Sequence, residues 1–249
     1  MLLALITALS LGAPPDSLRV PILVYHNVQP AVEGKGIRKA ELTMRPEVFA
    51  AQMQYLKDRG VHVVSLGKLV DALEGKGTLP QPAVVITFDD GRVNQYEYAY
   101  PVLKKLGFTA TFFPFTHAIG RNPRYFTWDQ LKEMQAAGMT IGSHTNLHVK
   151  VSKIRDPKDW KVEIEGSRQV LREKLGSPVE FFAYPWGAVS TSGDSAVHAA
   201  GYRAARAFSG GGWNSRQHLI RLRAVPITEN MKMFEHAVGL PRAESAAKK

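Results

Sequence analysis

The stretch Ala83-Val84-Val85-Ile86-Thr87-Phe88 constrains this chain more than any other, because it is apolar or β-branched at nearly every position. A strand with one wet face alternates polar and apolar residues, whereas a run without alternation is covered on both faces. Strands of that kind belong to parallel sheets flanked by helices. The run ends abruptly in Asp89-Asp90-Gly91. Two adjacent carboxylates repel unless a cation, a shared proton or hydrogen bonds compensate, although Asp-Asp-Gly also suits a plain turn.

The rest of the chain alternates in the same way. Residues 20–26 read as a strand ending in Tyr25 and His26. Pro46 opens a helix whose apolar face is Phe49, Met53 and Leu56, and Gly60 closes it. A second strand is expected over 61–66 and a short helix over 69–73. After the Asp-Asp-Gly strand comes a helix over 96–106, with Pro101 inside it and Gly107 as its stop. Further strands are expected over 109–115, 140–144, 179–184, from 201 onward and over 224–228. Helices fall between them over 128–137, 159–175 and 195–200, and a last one over 231–238. Seven or eight βα units within 249 residues imply a closed or nearly closed barrel, with chemistry gathered where the strands end. Those ends are His26, Asp89-Asp90, His144 and the stretch 184–187.

Composition sets the limits. With 45% hydrophobic and 22% charged residues the chain can bury a sizeable core, and residues 16–240 read as one domain followed by a loose tail over 241–249. The absence of Cys leaves His, Asp and Glu as metal ligands. A net charge of +10 suits an anionic surface such as a cell envelope, while scattered basic residues and the lack of a nucleic-acid module argue against DNA or RNA. Residues 1–15 are uncharged and apolar, with small residues before Pro14-Pro15. They read as a signal-peptide core without its positive flank, and so as export from the cytoplasm.

Two further stretches carry chemistry. His144-Thr145-Asn146-Leu147-His148 places two imidazoles four residues apart, which on a helical turn would share one face. Two His and one carboxylate form a common ligand set for a catalytic divalent metal. Phe181-Phe182-Ala183-Tyr184-Pro185-Trp186-Gly187 is either a core strand with a Pro/Gly stop or the aromatic wall of a sugar-binding groove. In the second case a backbone N–H at the turn can hold an oxyanion.

Taken in order, these stretches resemble the polysaccharide deacetylases, the carbohydrate esterase family that shares the NodB homology domain. The likeness extends from about residue 21 to 228; Thr87-Phe88-Asp89-Asp90-Gly91 matches the first family motif and His144-x-x-x-His148 the second. The opening Pro21-to-His26 run and the Phe-Ala-Tyr-Pro-Trp-Gly run look most like the subgroup acting on poly-N-acetylglucosamine. The resemblance implies a distorted (β/α)7–8 barrel of α/β class. It further implies a divalent metal, usually zinc, on Asp90, His144 and His148, with Asp89 as general base and the Trp186 N–H as oxyanion donor. Tyr25, Tyr184, Pro185 and Trp128 would then touch substrate, although Thr127-Trp128-Asp129 serves equally well as a helix cap with a packing Trp.

Two departures stand out. The family's third motif begins with an Arg that orients the base, and here that position is Ala183. The family's usual Leu-x-His, which supplies the general acid, has no counterpart in Leu219-Ile220-Arg221-Leu222-Arg223, which leaves His26 or His218 for that role. The expected function is metal-dependent removal of N-acetyl groups from a secreted, biofilm or cell-wall polymer of N-acetylglucosamine. The alternatives are an O-acetyl esterase acting on xylan, and a carbohydrate-binding protein that kept the barrel and lost turnover.

Overall fold

Runs that are apolar on both faces need cover on both. In the computed structural model of the chain, which describes residues 16–30 and 42–240, they become the staves of a barrel. The staves are β1 (Ile22–Tyr25), β2 (Ala83–Asp90), β3 (Thr111–Pro114), β4 (Thr140–Ile141), β5 (Phe181–Ala183), β6 (Ala204–Phe208) and β7 (Leu222–Pro226). Each lies parallel to its predecessor from β1 to β4 and from β5 to β7, and β7 returns to β1. Between β4 and β5 the contact shrinks to one parallel bridge, Ser143 to Phe182. There the Ser143 N–H donates to the Phe181 carbonyl and the Ala183 N–H to the Ser143 carbonyl, both at 2.9 Å. The result is the expected α/β barrel, seven-stranded and nearly closed.

Around it run α1 (Pro46–Asp58), α2 (Leu66–Leu73), α3 (Tyr100–Leu106), α4 (Trp128–Ala136), α5 (Ser167–Leu175), α6 (Thr191–Ala199) and α7 (Met231–Val238). Side chains alternate in and out along each stave. Ile22, Val24, Val85, Phe113, Ala183, Ala204 and Ala224 fill the interior, and α2 joins them through Leu66, Leu69 and Leu73, closing the base. Leu23, Tyr25, Ile86, Phe88, Phe112 and Tyr184 point outward, into a second layer shared with Phe49, Met53, Leu131 and Met134 of the helices.

One expectation changes. Of residues 61–66 only His62–Val63 is a strand, and it pairs beside the start of β2, off the barrel. The remainder turns into α2 because the Ser65 side chain accepts from the Lys68 N–H and caps it. As expected, Pro101 lies inside a helical run, residues 93–106; the π-type turn Gln95–Ala99 stands directly before α3 within it, a local widening that accommodates the N–H that proline lacks. The readings of 1–15 as a leader and 241–249 as a tail lie outside the described residues. No helix among the described residues is long and apolar enough to cross a membrane.

Candidate active site

β2 delivers its two carboxylates by breaking the strand rule. Neighbouring strand residues face opposite ways, but Asp90 has φ +72° and Gly91 φ +69°, so the chain swivels at once and both carboxylates face the barrel mouth. Gly91 is required there, since a Cβ would lie 2.5 Å from that of Pro114. The second motif is not helical as its spacing had implied. It is a loop in which Thr145 (φ +69°) and His148 (φ +61°) take left-handed conformations. That fold brings the two imidazoles to 4.9 Å between ring centres.

The loop sets His144 and His148 around Asp90. One ligand atom from each of the three lies within 4.8 Å of the others. His148 Nε2 is 3.2 Å and His144 Nε2 3.8 Å from Asp90 Oδ1. His144 Nδ1 lies 2.7 Å from the Ala183 carbonyl, which makes that nitrogen the donor and turns the Nε2 lone pair toward the carboxylates. Burial, then the neighbouring His148, pushes the His144 pKa down to about 3, so the ring is neutral. A lone pair facing carboxylates is unfavourable unless a cation stands between them, and this donor set of two imidazoles and one carboxylate fits a divalent metal such as zinc.

Asp89, fully buried, stays off that triad. Its Oδ1 accepts from the Arg206 guanidinium, which comes from β6 and is itself completely buried. Arg206 stands in register beside Ala183 of β5. The Arg missing from the expected place is therefore supplied by the adjacent strand, reaching the same carboxylate from the side. Phe113 and Phe208 flank the guanidinium at 5.1 and 5.4 Å, and burial pulls its pKa down to about 9. With Oδ1 so engaged, Oδ2 of Asp89 is buried with no hydrogen-bond partner among the described residues. It lies 3.8 Å from His26 Nε2 and 3.9 Å from His144 Nε2. Burial, opposed by the Asp90 charge, lowers the His26 pKa to about 4.

These groups form the floor of a cavity of about 1150 Å³. Its aromatic wall is Phe115, Tyr125, Trp186 and Phe208, of which only Trp186 was expected from the sequence. Trp186 has φ +62°, is 54% exposed, and stands 5.4 Å from the His148 ring. The other expected substrate contacts are elsewhere. Tyr25 and Tyr184 have the outward strand parity; both are buried, the first donating to Gln52 and the second to Asp194. Pro185 is buried beneath the turn. Trp128 opens α4 behind a complete capping box formed by Thr127 and Gln130, with its indole against Gly120. His218 is exposed, bound to Ser215 and away from the cavity. His26 is thus the imidazole beside Asp89 that the metal triad does not use.

Residues 76–205 match the family model described as polysaccharide deacetylase, so that Arg206 falls one residue beyond the match. YxkH of Bacillus subtilis, which carries the name of a polysaccharide deacetylase, is 28% identical over 213 residues, covering 86% of this chain and 73% of its own. The poly-β-1,6-N-acetyl-D-glucosamine N-deacetylase of Staphylococcus epidermidis is 32% identical over 154 residues, 57% of this chain and 53% of the relative. This chain thus spans about half the length of that enzyme. Among solved structures, the Streptococcus pyogenes deacetylase PplD in complex with acetate superposes with TM-score 0.82 at 26% identity, covering 90% of this chain and 99% of the other. IcaB from Ammonifex degensii gives 0.72 at 27% identity, covering 88% and 97%.

Proposed function

This chain belongs to the polysaccharide deacetylase family, and from that premise we propose that it hydrolyses N-acetyl groups on polymers of N-acetylglucosamine, with a divalent metal on Asp90, His144 and His148. One observation carries the reading: three ligand atoms converge within 4.8 Å while a buried, unpartnered carboxylate oxygen, Asp89 Oδ2, waits beside them. A cation held there supplies Lewis acidity, which makes water more acidic and polarises an acyl carbonyl.

The chain's own groups do the rest. Asp89 takes the proton of the attacking water on Oδ2, while Arg206 fixes Oδ1 and keeps the carboxylate from swinging onto the triad. The Trp186 turn, left-handed and standing over His148, supports its backbone N–H as the donor to the tetrahedral oxyanion. Asp89 then passes the water's proton to His26, whose Nε2 lies 3.8 Å from Oδ2 and which is neutral at rest; the imidazolium so formed gives it to the leaving amine, so that water and amide become acetate and free amine. An amide demands such a donor, because an amine leaves poorly as its anion. The aromatic wall and the width of the cavity suit stacked sugar rings of a chain, in keeping with the poly-N-acetylglucosamine substrate in the staphylococcal relative's name. Such polymers lie outside the cytoplasm. Work there suits an exported protein, and a net charge of +10 suits an anionic envelope surface.

Asp89→Asn tests the division of labour between the two carboxylates. Turnover should vanish while zinc content, measured by elemental analysis, stays at the parent level; loss of zinc would show that the two aspartates have exchanged roles.

A further inference from the structure

Two π-type turns in the helical layer each send one buried polar side chain to a loop of the site. In the first, Gln95–Ala99, Gln95 is fully buried, and its Nε2 donates to the His26 carbonyl at 2.7 Å and the Asp89 carbonyl at 2.5 Å. One amide thereby ties the end of β1 to the end of β2, at the two residues assigned to proton transfer. Next to it Asn94 accepts from the Val28 N–H and donates to Asn27 and Gln29, extending the same seam.

In the second turn, Lys161–Gly166, Glu163 is 4% exposed and its Oε2 accepts from the N–H groups of Asn146 at 3.0 Å and Leu147 at 2.9 Å. Those amides follow left-handed Thr145 and lie between the two metal-binding imidazoles. Successive N–H groups converging on one oxygen form an anion-holding nest, and here a carboxylate of the chain itself fills it. The strained loop keeps its shape because this nest is filled. A π-turn widens a helix by one residue and so can aim a side chain that a regular helix would direct elsewhere; such turns recur at functional sites.

We propose that Gln95 and Glu163 are positioning residues with separate duties: Gln95 sets the spacing of Asp89 and His26, and Glu163 sets the metal-binding loop. The inference rests on the function proposed above. It requires a double dissociation that a general packing role would not give. Gln95→Met should lower kcat for acetate release from an N-acetylglucosamine oligomer by about tenfold or more, the scale of a sub-ångström misplacement, with KM and zinc affinity unchanged. Glu163→Leu should weaken zinc by about tenfold or more in competition with a chromophoric chelator, the scale seen when support of a ligand is removed. Glu163→Gln, whose carbonyl can accept both N–H groups, should restore affinity.

His148→Ala is the reference. If it loses zinc while Q95M and E163L change both properties together, or neither, the inference is overturned and the proposed function stands. If His148→Ala keeps its zinc, the metal site itself is wrong and the inference falls with it. Should Q95M or E163L not fold, Gln95→Asn and Glu163→Asp, each one methylene too short to reach both partners, are measured and judged by the same criteria.

Discussion

A carboxylate works as a base only if one oxygen is held and the other is available, and Asp89 has that division. Arg206 binds Oδ1, and Oδ2 faces His26 and His144. Replacing Arg206 by Met removes the charge that favours the ionised form. The acid limb of kcat/KM should then move to higher pH and kcat should fall by about 10- to 100-fold, with zinc content unchanged. A pH–rate profile superimposable on the parent's would remove Arg206 from the site. His26 carries a different signature. In the role proposed for it, as proton donor to the leaving group, His26→Ala should cripple hydrolysis of N-acetylglucosamine while sparing an aryl acetate, whose phenolate departs without a proton. Equal losses on both substrates would assign His26 another task.

At the scale of elements, the seam between β4 and β5 is where the barrel is weakest, a single bridge beyond Gly142. Gly142 has no room for a side chain: a Cβ would come within 2.3 Å of the Phe113 ring and 2.9 Å of the Phe181 carbonyl. Gly142→Ala should therefore cost about 1–3 kcal/mol of stability through overpacking, read as a lowered midpoint in denaturant. An unchanged midpoint would mean that the seam can open to admit a methyl group. The order of the staves and most helices was legible in the chain, because apolar runs, caps such as Thr127 and stops such as Gly107 are local signals. Strand parity was legible too: Tyr25 shares the phase of Leu23, and Tyr184 that of Phe182, so both belong to the outer layer. Arg206 was not legible in this way. A strand's residues appear in the sequence, but its lateral register does not, and only register puts Arg206 beside Ala183. The sole hint was a charge within Ala204-Ala205-Arg206-Ala207, where a buried guanidinium must have a partner.

Across the whole molecule, consecutive βα units wind once around, so residues far apart in the chain converge at one mouth: His26, Asp89, His144 and Trp186 line it from the ends of β1, β2, β4 and β5, and Arg206 of β6 lies buried against Asp89. The aromatic wall could not be read from sequence, since Phe115, Tyr125 and Phe208 lie outside the motifs and meet only because the loops fold over the barrel. The central claim is that this mouth deacetylates a glycan with a metal on Asp90, His144 and His148, and acetate release from N-acetylglucosamine oligomers tests it most directly. Chelator-stripped protein should release no acetate and zinc-restored protein should release it steadily; equal release by both, or none from the restored protein, would contradict the account.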